Sequence, residues 1–223
     1  MKPTDLRKYI EHTHLKPDSG LSIIKKLASE AIENSFFGIC VNSCHIVDAK
    51  KFLQGSSVKL VSVVGFPLGA CDTMAKAFEA DVAVKNGADE IDMVLNIGAL
   101  KDQRFDFVLK DISEVVKASS KKPVKVIIET GLLTDAEKTK ACKIILDSGA
   151  QFVKTCTGFN PGSATVADVL LMKTAVNGKL AIKASGGIKS FSLAMDLINA
   201  GATRLGTSSG VALVSGEQAS SGY

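Results

Sequence analysis

Tryptophan is absent from this sequence, and the aromatic share is only 5%. The core must therefore be built mainly from Val, Ile, Leu and Ala, within a hydrophobic share of 46% that is ordinary for a soluble globular chain. Basic clusters with interleaved aromatics are also missing, although the net charge is +4. This argues against a nucleic-acid surface and leaves a small anionic substrate compatible. No apolar run is long enough to span a bilayer, so no membrane insertion is expected. The cysteines Cys40, Cys44, Cys71, Cys142 and Cys156 make no disulfide framework: their number is odd and no signal peptide precedes them. A reduced, cytoplasmic compartment is the expectation. Histidine is scarce too, with three in all. Cys40, Cys44 and His45 lie close together, but no second ligand pair stands at zinc spacing, so no metal site is expected.

What is present is a regular alternation of strand and helix. After a short helical lead-in over residues 1–8, a first strand is expected at 9–15 (YIEHTHL). The pattern predicts further strands at 36–41, 58–66, 90–96, 124–129, 152–154, 180–184 and 203–206. Helices are expected between them at 19–34, 43–53, 73–86, 105–118, 135–148, 164–175 and 190–201, with a last one opening at Ser208-Ser209. Ile23, Ile24, Leu27, Ala28, Ala31 and Ile32 mark the apolar stripe of the first. Eight units in 223 residues average about 28 residues each, the length of a βα repeat. Unbroken alternation implies a parallel sheet, and eight units imply a closed (β/α)8 TIM-type barrel. The expected organisation is one barrel domain over 1–223, with a mobile tail at 216–223. An open doubly wound sheet would place a glycine-rich loop after the first strand, and IEHTHLKP contains no glycine.

Three charged residues interrupt the apolar strands: Asp92, Lys154 and Lys183. Their strand neighbours Ile91, Met93, Val153 and Ile182 are apolar and suit the helix layer. Alternation then aims all three charged side chains into the lumen, on the fourth, sixth and seventh strands. An amine must be neutral to attack a carbonyl. At a pKa of about 10.4, only roughly one lysine in a few thousand is neutral at pH 7. A second ammonium about 5 Å away, at an effective dielectric near 20, costs the charged form roughly 3 kcal/mol. Such a neighbour lowers a lysine's pKa by about two units. This makes Lys154 the expected nucleophile, Lys183 its cationic helper and Asp92 the group that holds the helper and relays protons. The alternative, one Lys–Asp pair and a stray lysine, leaves an ammonium buried without compensation.

The loops beyond these strands suit a phosphate. Thr157-Gly158 follows Lys154, Ser185-Gly186-Gly187 follows Lys183, and Gly206-Thr207-Ser208-Ser209 follows the eighth strand. Backbone N–H groups of such turns bind anions, and barrels often hold phosphate after their seventh and eighth strands.

At these residues the sequence resembles the 2-deoxyribose-5-phosphate aldolase family. FVKTCTG, IKASGG, EIDMVLN, KVIIET and RLGTSSG, with IEHTHLKP near the start, match it in order over essentially the whole chain. The resemblance implies a class I aldolase that needs no metal or cofactor and cleaves 2-deoxy-D-ribose 5-phosphate to D-glyceraldehyde 3-phosphate and acetaldehyde. It implies a Schiff base at Lys154, proton transfer by Asp92 and Lys183, and a phosphate site at Thr157, Gly158, Gly186, Gly187, Gly206, Ser208 and Ser209. It places Cys40 within substrate reach and gives Tyr223 a part in proton transfer. Its members are commonly dimers or tetramers, so a homo-oligomer is expected. The partners implied are phosphosugars and aldehydes. Glu11 departs from the family's aspartate in the first strand, one methylene longer.

Read on their own, the secondary residues have plainer roles. Cys40 suits a small buried hydrophobe. Glu129 and Lys125 share the lumen side of the fifth strand and suit a structural pair. Tyr223 suits a free end. His12 and His14 show no acid partner in the sequence pattern.

Overall fold

The computed structural model describes residues 2–216. Eight of the short apolar runs are strands: β1 (Ile10–Thr13), β2 (Gly38–Val41), β3 (Lys59–Val64), β4 (Glu90–Val94), β5 (Val124–Ile127), β6 (Phe152–Lys154), β7 (Ala181–Ser185) and β8 (Arg204–Thr207). Each lies parallel to the next, and β8 pairs with β1, Gly206 standing opposite Glu11. The barrel is therefore closed, as the repeat count predicts. Closure leaves no free sheet edge, so every strand's ladder groups have two neighbours to bond.

The helices are α1 (Leu21–Glu33), α2 (Ile46–Phe52), α3 (Thr73–Lys85), α4 (Ile97–Lys101), α5 (Phe105–Ala118), α6 (Asp135–Ser148), α7 (Val166–Val176), α8 (Phe191–Ala200) and α9 (Gly210–Ser215). The lead-in is a 3-10 helix, Pro3–Lys8. Helix ends follow local chemistry. The α6 start is a capping box, Thr134 accepting from the Glu137 N–H, and Gly149 ends it in the left-handed region at φ 85°. The single turn α4 is not anticipated by the hydrophobic pattern. It forms because the Asn96 side chain accepts from the Ala99 N–H at 3.0 Å. In α1 the buried stripe is narrower than expected: Ile24, Leu27, Ala28 and Ala31 are buried, whereas Ile23 and Ile32 are exposed.

Alternation along the strands divides the core in two. Ile39, Leu60, Ile91, Met93, Val126, Val153, Ile182 and Leu205 face outward and pack with the helices into one continuous apolar layer. Each such side chain contributes roughly 1.5–3 kcal/mol by leaving water. The intervening residues face the lumen. On β2 and β3 these are Cys40, Val61 and Val63, which join Leu15 and Phe66 in a small apolar cluster of their own. On β1, β4, β5, β6, β7 and β8 they include charged residues.

Candidate active site

Six strands deliver the charges. Glu11 comes from β1, Glu90 and Asp92 from β4, Lys125 from β5, Lys154 from β6, Lys183 from β7 and Arg204 from β8. All are buried. Asp92 sits at the centre. Its Oδ2 accepts from Lys154 Nζ and from Lys183 Nζ, both at 2.6 Å, and its Oδ1 accepts from Lys125 Nζ at 2.9 Å. The side-chain nitrogens of Lys154 and Lys183 are thus separated by one shared oxygen. The three residues expected to converge do converge, and the lumen-facing orientation inferred from their flanks is the one observed.

Glu11 is fully part of this cluster. It accepts from Lys183, and from Arg204 Nη1 at 2.8 Å, and lies 3.4 Å from Lys125 Nζ. The extra methylene relative to aspartate lets one carboxylate span three cations. Glu90 completes the lower tier, 2.6 Å from Lys125 Nζ and 3.2 Å from Arg204 Nη1. The Arg204 guanidinium lies over the Phe37 ring, 3.3 Å from its centroid.

Electrostatics follow from this contact map. Burial pushes the Asp92 carboxyl up, but Lys125, Lys154 and Lys183 outweigh it and hold Asp92 well below the usual carboxylate range. Glu11 shows the same balance: burial is opposed by Lys125 and Lys183, and the net direction is down. For Lys183, burial works against the charge, yet Asp92 and Glu11 prevail and raise it far above an ordinary lysine. Lys125 is raised for the same reason, by Asp92 and Glu11 against burial. Lys183 is therefore a fixed cation beside Lys154. Burial pushes the Cys40 thiol up to about 11, so it stays protonated. That fits the small buried hydrophobe; Cys40 does not line the cleft described next.

Above the charges a cleft opens at the C-terminal ends of the strands, enclosing about 470 Å³ of space continuous with solvent. Lys154 forms part of its wall, and so do all seven residues expected around a phosphate: Thr157, Gly158, Gly186, Gly187, Gly206, Ser208 and Ser209. The loops are tied together. The Thr155 hydroxyl donates to the Ser185 carbonyl at 2.8 Å, and the Thr207 hydroxyl donates to the Ile188 carbonyl at 2.8 Å while accepting from the Ser209 N–H at 2.9 Å. Gly206 has a packing reason as well, since a Cβ there would stand 3.0 Å from Lys183 Cε. Lys189 also lines the cleft and was not singled out in the sequence. It follows the Gly186-Gly187 turn directly, and a lysine in that loop is the one signal that could have found it.

Two expectations about partners fail. Glu129 does not pair with Lys125. The strand ends at Ile127, and Glu129 turns aside at φ 58° to accept from the Thr157 hydroxyl at 2.5 Å and from Asn160 Nδ2 at 2.9 Å. It supports the β6 loop instead. His12 does have an acid partner, Glu30 on α1, at 2.8 Å. His12 faces the helices, where a residue distant in sequence meets it. His14 Nε2 lies 2.6 Å from the Ser19 hydroxyl. Tyr223 lies outside the described residues.

Glu11, Cys40 and Asp92 bring ligand atoms within 4.8 Å of one another, a spacing a metal could use. The donor set does not suit one. Both carboxylates are already engaged by ammonium and guanidinium groups, and the thiol is held protonated. No helix among the described residues is long and apolar enough to cross a membrane.

A family model described as DeoC/LacD family aldolase matches residues 1–216. A deoxyribose-phosphate aldolase of Bdellovibrio bacteriovorus is 54% identical over 218 residues, covering 98% of this chain and 99% of the relative. One of Staphylococcus carnosus is 53% identical over 219 residues, covering 98% and 100%. Among solved structures, QR15, an aldolase, superposes with a TM-score of 0.91 at 39% identity, covering 95% of each chain. The tetrameric deoxyribose phosphate aldolase of Aeropyrum pernix superposes with a TM-score of 0.89 at 30% identity, covering 96% of this chain and 91% of the other.

Proposed function

The chain belongs to the DeoC/LacD aldolase family, and from that premise we propose that it reversibly cleaves 2-deoxy-D-ribose 5-phosphate to D-glyceraldehyde 3-phosphate and acetaldehyde through a lysine Schiff base. The observation that carries this reading is the position of Lys154. It is the one member of the buried charge cluster that also walls the cleft, and it shares the Asp92 Oδ2 with a fixed cation.

Neutral Lys154 attacks C1 of the open-chain aldehyde, and loss of water gives an iminium. The iminium accepts the electron pair of the C2–C3 bond as that bond breaks, leaving an enamine. The proton of the C3 hydroxyl passes to the Asp92–Lys183 relay through a water molecule, and glyceraldehyde 3-phosphate departs. The relay returns a proton to the enamine carbon. Water then hydrolyses the resulting iminium, frees acetaldehyde and restores the amine. The phosphate lies among Thr157, Gly158, Gly186, Gly187, Gly206, Ser208 and Ser209, where backbone N–H groups of the turns serve as donors. Lys183 is wholly enclosed, which disfavours its direct use as a base on substrate in an isomerase reading.

We take the assembly to be a homo-oligomer, a dimer or tetramer. The support is an exposed apolar row on α3, Met74, Phe78 and Val82, with Leu68 beside it in sequence. Sedimentation at micromolar concentration checks this. The five free cysteines suit the cytoplasm, and the role that follows is catabolism of deoxyribose phosphates.

The deciding experiment is borohydride reduction in the presence of acetaldehyde, followed by peptide mapping. The adduct is expected on Lys154. Lys154→Leu is expected to abolish trapping and to lower turnover by at least about a thousandfold. Undiminished trapping at a different lysine would overturn the assignment.

A further inference from the structure

The buried cluster does not balance. Four cationic side chains, Lys125, Lys154, Lys183 and Arg204, face three carboxylates, Glu11, Glu90 and Asp92. With every group ionised, one positive charge is left over in a largely buried cluster. The other residues turned toward it carry no charge that could compensate. From β2 and β3 come the neutral Cys40 thiol and the apolar Val61 and Val63. From the β5 end, Glu129 is directed to Thr157 and Asn160.

We propose that Glu90, Lys125 and Arg204, none of which lines the cleft, determine how readily Lys154 gives up its proton, by fixing the total charge of the cluster. Loss of one proton brings the cluster to three against three. Lys125 and Lys183 are each held by at least two carboxylates, and a guanidinium keeps its proton in proteins. Lys154 has a single carboxylate partner among the described residues and borders the cleft, where the proton can leave. The lower tier is thus a set of positioning residues whose effect travels through charge. A unit charge on the order of 10 Å away, at an effective dielectric of about 20, still moves such an equilibrium roughly tenfold or more. This inference rests on Lys154 being the Schiff-base nucleophile.

Arg204 and Glu90 are partners in one ion pair, yet the proposal gives them opposite effects. Removing the positive charge with Arg204→Gln stabilises protonated Lys154. Removing the negative charge with Glu90→Gln destabilises it. The measurement is the rate of borohydride-trapped acetaldehyde adduct between pH 5 and 9. The acid limb is expected to move to higher pH in Arg204→Gln, with trapping at pH 7 roughly tenfold slower. It is expected to move to lower pH in Glu90→Gln, with faster trapping at pH 5. Arg204→Lys, which keeps the charge, should restore the native limb. A merely structural pair would slow both variants and leave the limb in place.

Peptide mapping of the native protein separates the two claims. An adduct on another lysine removes the reading of Lys154 and this inference with it. An adduct on Lys154, with both limbs moving the same way or neither moving, overturns the charge proposal alone. Should Arg204→Gln not fold, Glu90→Gln decides: a limb that stays or moves to higher pH overturns the proposal.

Discussion

The two faces of the barrel sheet are built by opposite rules. Outward, Ile39, Leu60, Ile91, Val126 and Leu205 join the apolar layer packed against the helices, and their burial adds to stability. Inward, Glu11, Asp92, Lys125 and Lys183 are taken out of water altogether. Desolvating such groups costs as much as their pairing returns, so the inner face adds little net stability. The difference teaches which face the fold could lose. Stability resides in the outer layer, and the inner face is a reactive arrangement that the outer layer holds in place.

The sharpest way to break this comparison is to injure each face once. Asp92→Asn removes the carboxylate that three ammonium groups share and leaves uncompensated cations. It should lower stability by about 3–5 kcal/mol and also abolish acetaldehyde trapping. Urea unfolding and the trapping assay read the two effects. Leu60→Ala, on the outer face, should cost about 2–5 kcal/mol by opening a cavity while the folded protein still forms the adduct at near-native rate. If Leu60→Ala abolishes trapping in protein that is still folded, the separation of roles fails.

The pH dependence sharpens the same contrast, because the carboxylates and lysines of the inner face shift one another. Asp92 and Glu11 are depressed on folding, so their contribution is complete above the ordinary carboxylate range and is lost as pH falls through their folded values. Lys183 and Lys125 are raised, so theirs is complete below the ordinary lysine value and is lost as pH rises through the folded values. Urea midpoints should therefore be flat from about pH 5 to 9 and fall below about pH 4. Asp92→Asn should show a shallower acid fall. A native midpoint that declines between pH 5 and 7 would contradict this.

The smallest effect is expected at the rim. In Gly187→Ala a Cβ would stand 2.8 Å from the Ser163 Cβ, at a φ of 72° that an L side chain adopts at a cost of roughly 1–2 kcal/mol. The loop should shift, raising KM for the phosphorylated substrate about tenfold. Trapping of acetaldehyde, which carries no phosphate, should be unaffected.

Much of this architecture is legible in the residues. Apolar runs of strand length between helix-length amphipathic runs give eight units, and the flanks of Asp92, Lys154 and Lys183 give their direction. What alternation does not give is position around the ring. Glu90 and Arg204 stand at the first residues of their strands and read as edge charges. They meet Glu11 and Lys125 because closure sets β8 beside β1, and because β4 lies beside β5. Glu129 is misplaced for a related reason. Alternation holds only while the chain remains a strand, and β5 stops two residues short of it. His12 pairs with Glu30 across the sheet-to-helix layer, a contact whose partner no local pattern names.

One carboxylate oxygen accepts both Lys154 and Lys183 at the same distance. Bond length therefore does not tell the two amines apart. What separates them is the doorway and a second grip: Lys154 borders the cleft, whereas Lys183 sits behind it and is also held by Glu11. The identity of the nucleophile in such a barrel is then set by access and by partners together, and a redesign that moved the chemistry from β6 to β7 would have to release Lys183 from Glu11 as well as open the wall around Gly206.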